Sequence, residues 1–218
     1  MAGERTQLRR HPERGSHAPA DVHAILDAAF LAHVGFCADG QPVVVPMLYG
    51  RDGEVLYLHG SSASRIVRAL DRGCPACVTV TLVDGLVLAR SAFNHSLNYR
   101  SVMAFGTAQT IAAAEAKQAA LRVISDHLIA GRWAAVRPPS EKELRATGVV
   151  RFTIEEASAK VRTGPPKDDD ADYALPVWAG VVPLRQTAAA PIADPRLPPG
   201  TPAPEHVQAY WRARKMEP

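Results

Sequence analysis

The 218-residue sequence is 47% hydrophobic and 22% charged, with a formal net charge of +3 at pH 7, which suits one domain with a core of its own and polar tails. The positive charge gathers in Arg5, Arg9, Arg10 and Arg14, with no basic face interleaved with aromatic residues, so nucleic-acid binding is not expected. No apolar run has the length of a membrane span, the first residues lack a signal-peptide core, and three cysteines make no disulfide framework; the expected setting is cytoplasmic.

Residues 1–19 are polar and aperiodic and read as a flexible arm. Residues 20–185 read as the folded domain and 186–218 as a Pro/Ala-rich tail. Asp21 is placed to cap a helix in which Val22, Ile25, Leu26, Ala29 and Phe30 recur at helical spacing. His33–Ala38 is extended, Asp39-Gly40 is a hairpin signal, and Pro42–Tyr49 answers as the partner strand, with Pro46 marking an edge or a bulge. A turn at Gly53 leads into the strand Val55–Leu58, which breaks at Gly60 into Ser61, Ser62 and Ser64. A helix with Arg65 and Arg68 follows.

Past Gly73, Ala76–Val83 has high β-propensity, and Asp84-Gly85 reads as a turn into Leu86–Ser91. Ala92–Leu97 is irregular. Asn98–Ile111 is extended again, with Gly106 a bulge or a point of close approach. Glu115–Ile129 is an amphipathic helix stopped by Gly131, and Ser140 to Glu143 forms a capping box. Val149–Ile154 and Ala159–Thr163 add two strands. Asp168–Asp170 reads as a solvated run. Trp178–Leu184 reads as a short strand or strap, and Val207–Arg214 as a helical turn or two. The order, about six or seven short strands joined by hairpin turns, is that of an antiparallel barrel with helical decorations, not of alternating βαβ units.

Chemistry concentrates in three places. A strand ending in Gly-Ser-Ser before a helix with Arg65 offers hydroxyls, backbone donors and a guanidinium, the requirements of a phosphate site; the same residues also serve as an ordinary helix cap. Arg90 to Ser96 and Asn98 to Ser101 are too polar for plain strands, and a solvated hairpin end explains them equally. No GxGxxG or Walker sequence is present, no Gly-x-Ser-x-Gly elbow supports a hydrolase, and no paired carboxylates suggest acid–base work. Cys74 and Cys77 form a CxxC that follows a helix and leads into a strand, the reverse of a redox motif. No second ligand pair supports zinc, so buried inert thiols are expected.

In order, LHGSSASR (58–65), DGLVLARSAFNHSLNYRSVMAFG (84–106) and WAGVVPL (178–184) resemble the FMN-binding split-barrel family related to pyridoxamine 5′-phosphate oxidase, in its flavin-nucleotide-binding and nitroimidazole-reductase branch. The resemblance spans Ala20 to Leu184. It implies a mainly β, α+β fold: a six-stranded antiparallel split barrel that forms a homodimer with FMN at the subunit interface. It further implies cofactor contacts from Pro46, Met47 and Leu48 beside the ring, and from Leu58, His59, Ser61, Ser62, Ser64 and Arg65 toward the phosphate. Tyr99, Arg100 and Ser101 add polar contacts, and Trp178 closes the pocket or shapes the dimer.

The implied activity is an FMN-dependent oxidoreductase using NAD(P)H-derived electrons on a small aromatic or nitro-type acceptor. His59 and His95 would bound the substrate side, and no catalytic side chain is singled out, because the cofactor carries the redox chemistry. The alternatives are a non-catalytic flavin-nucleotide binder, a haem protein with His59 or His95 as axial ligand, and a protein of the deazaflavin F420. True pyridoxamine phosphate oxidation is not expected. The substrate-binding strand of such enzymes is replaced by Asp194-Pro195-Arg196-Leu197-Pro198, whose prolines bar a regular strand.

Overall fold

The computed structural model of the chain describes residues 2–71, 73 and 75–215. Among these residues eight strands form one antiparallel sheet: β1 (Gly15–Ser16), β2 (Leu31–Ala38), β3 (Gln41–Asp52), β4 (Val55–Ser61), β5 (Pro75–Leu88), β6 (Ser96–Thr110), β7 (Thr147–Arg162) and β8 (Gly180–Pro183). Five α-helices accompany them: α1 (Pro19–Ala28), α2 (Arg65–Leu70), α3 (Ala114–Leu128), α4 (Glu141–Ala146) and α5 (Glu205–Arg214). Pairing runs β7-β4-β3-β2-β5-β6 and returns to β7, so six strands form a ring. The short β1 and β8 lie outside it, on β7 and β5.

Alternation along each strand fills the ring. Val34, Leu56, Leu58, Val78, Val80, Val102, Ala104 and Phe152 are fully buried. The β2–β3 hairpin closes through Asp39 and Gly40, both at positive φ, the conformation that matches the twist of paired strands. Residues 41–48 of β3 pair with β2 alone, while residues 49–52 pair with β4. The first half of β3 is therefore an open edge, which accommodates Pro46 as expected.

Gly106 is the close-approach point. A Cβ there would sit 1.9 Å from the Thr153 carbonyl oxygen. The β6–β7 register shifts at the same place, from Phe105↔Glu156 to Gly106↔Ile154, so Glu155 is the extra residue of a bulge. Gly50 plays the corresponding role on the outside. A Cβ would lie 2.6 Å from the Ile124 Cα, so α3 packs directly on the β3 backbone. The Tyr49 hydroxyl donates to the Leu26 carbonyl, and His127 Nε2 donates to the Ala29 carbonyl at 2.7 Å, tying α1, β3 and α3 together.

Several expectations change. Asp84-Gly85 makes no turn: β5 runs on through a register shift against β6, and Asp84 turns its carboxylate to Arg100. The segments 149–154 and 159–163 are likewise one strand, bent at the Glu155 bulge. Asp21 is not the cap of α1, which begins at Pro19 after Ala18; proline at a first helical position leaves no donor unsatisfied. Ser140 and Glu143 form the expected capping box.

Of residues 1–19, read as a flexible arm, 2–17 are docked along β7. Thr6 is buried, Gly15 and Ser16 pair with Lys160 and Ala159, and Arg5 bridges Glu155 and Glu156 at 2.9 and 2.7 Å. Asp168 is not solvated. Its side chain is fully buried and accepts from the Arg90 amide at 2.9 Å and from Arg90 Nη1 at 3.0 Å. The tail also returns to the ring, with α5 longer than the turn or two expected and the Ala188 amide donating to the Arg214 carbonyl at 2.9 Å. Among the described residues no helix is long and apolar enough to cross a membrane.

Candidate functional site

The end of β4 and the start of α2 show how the serine run is used. Ser64 is the N-cap: its Oγ accepts from the Val67 amide at 3.4 Å. Ser61 Oγ accepts from the Ala63 amide, the Ser64 amide donates to the Ser61 carbonyl, and the Ser62 amide donates to the Ala146 carbonyl. The turn therefore consumes most of the backbone donors that a phosphate would use, and Ser64 fills the cap role. What remains unspent is side-chain chemistry. Arg65 and Arg68 stand one helical turn apart, both exposed, and among the described residues neither is in an ion pair. They line a cleft of about 400 Å³ with Ala63 and the Cys37–Asp39 end of the β2–β3 hairpin.

His59 and Leu48 line a different cavity, of about 500 Å³, walled by Leu121, Ile124 and Leu128 of α3 and by Trp133. His59 Nδ1 is buried and has no hydrogen-bond partner. Burial pushes the imidazole's pKa below its ordinary value, so the ring is neutral at pH 7. Arg137 and Glu143 stand at the rim, 2.6 Å apart. The Arg137 guanidinium, then the Ser140 amide and hydroxyl, hold the Glu143 carboxyl well below the usual range.

Arg100 lines a third cleft, of about 700 Å³, between the mouth of the ring and the C-terminal tail. Its Nε and Nη2 donate to both Asp84 carboxylate oxygens at 2.9 and 2.8 Å, which raises its pKa. Ser101 Oγ donates to the Lys160 carbonyl at 3.4 Å. Tyr99 sits between Val83 and Arg162 in the sheet register.

Within one chain the expected site residues that line a cavity are divided among three: Leu48 and His59 in one, Arg65 in another and Arg100 in the third. Pro46 and Leu48 project from the open half of β3, where Val44 and Leu48 are exposed. Met47 and Leu58 point the other way, into the core, at 9% and 0% exposure, because strand alternation sends them to the opposite face from Leu48. Trp178 is 66% exposed within one chain and its ring lies over Gly180. His95 is a fastening residue, its Nδ1 accepting from the Ala89 amide at 3.0 Å. Burial raises the pKa of the Cys77 thiol; Cys74 lies outside the described residues. Sequence reading did not single out the α3 wall of the His59 cavity, whose stripe reads only as core, or Asp84, whose use depends on Arg100 sixteen residues away.

Comparison with known proteins follows this geometry. A family model described as pyridoxamine 5′-phosphate oxidase matches residues 18–161. Among solved structures, the flavocytochrome Anf3 from Azotobacter vinelandii is 46% identical, with 95% of this chain and 97% of that one covered and a TM-score of 0.90. A FAD and heme binding protein from Mycobacterium smegmatis is 41% identical over 91% of this chain and 97% of its own, with a TM-score of 0.87. A candidate 5-nitroimidazole antibiotic resistance protein from Bacteroides thetaiotaomicron is 26% identical over 67% and 86%, with a TM-score of 0.58. No curated protein matches the sequence.

Proposed function

The chain belongs to the pyridoxamine 5′-phosphate oxidase family, and from that premise we propose that it binds a flavin nucleotide and acts as an oxidoreductase, passing NAD(P)H-derived electrons to a small aromatic or nitro-type acceptor. The observation that carries the reading is the unneutralised pair Arg65 and Arg68 beside the exposed Ser61 and Ser62. Two guanidiniums without acidic partners, with hydroxyls at hand, suit a phosphate ester. The residues present therefore fit the phosphate end of a flavin, although the helix N-terminus itself offers little.

The flavin supplies the electron and hydride chemistry when bound. The chain's own residues bind and orient. Arg65 and Arg68 hold phosphate, and the open half of β3 presents Val44, Pro46 and Leu48 as an apolar ledge with free backbone groups along its edge. In this reading the ring is a six-stranded split barrel and works as a homodimer. A second copy would cover the β3 edge and the exposed Leu31, Val44, Leu48 and Met103, and would draw contacts from two chains to each flavin. The proposal extends to FMN or FAD, the latter named for the Mycobacterium smegmatis protein.

A second reading is favoured by one observation. The apolar cavity beside α3 contains a neutral histidine whose buried Nδ1 lacks a partner. His59 would be the residue to hold a haem there, and it suits that role better than His95, whose Nδ1 is already engaged. Haem and flavin are named together for both of these neighbours' kind: a flavocytochrome and a FAD and heme binding protein.

The test is an absorbance spectrum of the purified protein before and after incubation with FMN, FAD or haemin and removal of the excess. Retained paired flavin bands, with the nucleotide identified after denaturation, support the first reading. A Soret band lost in His59→Ala supports the second. A colourless protein that retains none of the three overturns both and directs the search to F420. NAD(P)H-driven reduction of a nitroaromatic by the flavin-loaded protein separates an oxidoreductase from a non-catalytic binder.

A further inference from the structure

We propose that the third cleft, at the seam between the ring and the C-terminal tail, is a binding site for an anionic nucleotide, distinct from the flavin site and independent of that reading. Its volume of about 700 Å³ falls within the range of small-molecule sites. The charges facing it are unbalanced. Arg100, Arg185, Arg214 and Lys215 line it against one carboxylate, Asp84, which Arg100 already occupies with two hydrogen bonds. Among the described residues Arg185, Arg214 and Lys215 make no ion pair, and the Lys215 ammonium lies 6.0 Å from the Trp211 ring centroid.

Two aromatic residues share the lining, Phe30 from the end of the α1 segment and Tyr210 from α5. The Arg214 guanidinium lies over the Tyr210 ring, 4.2 Å from its centroid, which holds that cation in a defined place. The α5 end is itself fastened, because the Ala188 amide bonds the Arg214 carbonyl. Cations that pair with phosphate and aromatic faces that accept a planar base are the two requirements of a nucleotide. A lone inorganic anion needs only the first, and an apolar acceptor only the second. Most of the cationic lining comes from residues 185–215, beyond the 18–161 span of the family model, so this site belongs to the tail and not to the family's common domain.

The experiment is calorimetric titration of the full chain, preincubated with excess FAD so that any flavin site is filled to its adenylate end, with ADP as probe and adenosine as control. The expected result is saturable binding of ADP, at least about tenfold tighter than adenosine and weakened by sodium chloride. Arg185→Ser with Arg214→Ser should raise the ADP dissociation constant about tenfold or more, with flavin retention unchanged. Arg65→Ala should leave ADP binding untouched. Equal affinity for adenosine, no saturation at millimolar ADP, or loss of ADP binding in Arg65→Ala with none in the double variant would each overturn the proposal. If the double variant does not fold, the salt dependence and the adenosine comparison on the unaltered chain decide it. Flavin retention is read by absorbance, so failure here and failure of the flavin reading are separable.

Discussion

Removing the Asp168 carboxylate tests the least expected contact in the molecule. Its side chain is fully buried and accepts from the Arg90 amide and from Arg90 Nη1, at 2.9 and 3.0 Å. Hydrogen bonds to a charged group contribute about 1.5–3 kcal/mol each, which sets an upper range of about 3–6 kcal/mol for Asp168→Ala. The Arg90 side chain is 22% exposed, so water recovers part of its solvation after the change. Its Nε is already buried without a partner and its guanidinium lies 4.8 Å from the Tyr173 ring centroid, so the recovery is partial. The expected loss is about 3 kcal/mol, within the range for breaking a buried pair and equal to roughly 6–12 °C in Tm for a domain of this size. Asp168→Asn retains an acceptor for the Arg90 amide and should cost about half as much. Urea denaturation of both variants, and of each combined with Arg90→Met, reads the energies. In the Arg90→Met background the Asp168→Ala cost should fall below about 1 kcal/mol: the amide bond is still lost, but the carboxylate removed is there a buried charge without a cation, which offsets it. A cost for Asp168→Ala below about 1 kcal/mol in the unaltered background, or an equal cost in both backgrounds, would refute the reasoning.

Three further outcomes follow from geometry already described. Gly106→Ala places a Cβ 1.9 Å from the Thr153 carbonyl oxygen, where only backbone movement gives relief, so a loss of at least about 3 kcal/mol is expected; an unshifted denaturation midpoint would show that the β6–β7 bulge adapts. His59 has a folded pKa depressed by burial. Its contribution to stability is present above the unfolded value near 6.5 and is lost as pH falls through the window from there to the folded pKa. Thermal unfolding across that window should show a slope that His59→Gln reduces, and an identical slope in both proteins would count against the burial. Arg65→Ala should weaken flavin binding by about 1.5–3 kcal/mol, measured by fluorescence quenching on titration with FMN. An unchanged dissociation constant would remove Arg65 from the site.

How much of this was legible in the sequence depends on the range of the interaction. The Asp39-Gly40 turn, the Ser140 capping box and the Gly131 stop are fixed by neighbouring residues, and they stand where local chemistry puts them. Gly106 reads as a bulge or close approach because glycine inside a strand has few other reasons. Asp84-Gly85 has the same turn composition as Asp39-Gly40 yet continues β5, because β6 supplies a longer ladder and Arg100 engages the aspartate. The choice between turn and bulge was made by a partner strand that the dipeptide does not contain. Asp168 and Arg5 fail as surface charges for the same reason: their partners are 78 and about 150 residues away.

The candidate site shows the same division. Residue type identifies Arg65 as a phosphate ligand candidate, and among the described residues that guanidinium has no acidic partner. Strand alternation turns Met47 and Leu58 inward and Leu48 outward, so of the apolar residues assigned to a ring slot, those facing the core can offer only backbone. Leu48, Arg65 and Arg100 then line three separate cavities of one chain. A flavin that meets both the Leu48 ledge and the Arg65 cleft needs surfaces from more than one copy, which makes self-association a condition of that contact set. If sedimentation finds the flavin-loaded protein monomeric at micromolar concentration, the ligand is held by the Arg65 cleft alone, and the Leu48 contact drops out of the site.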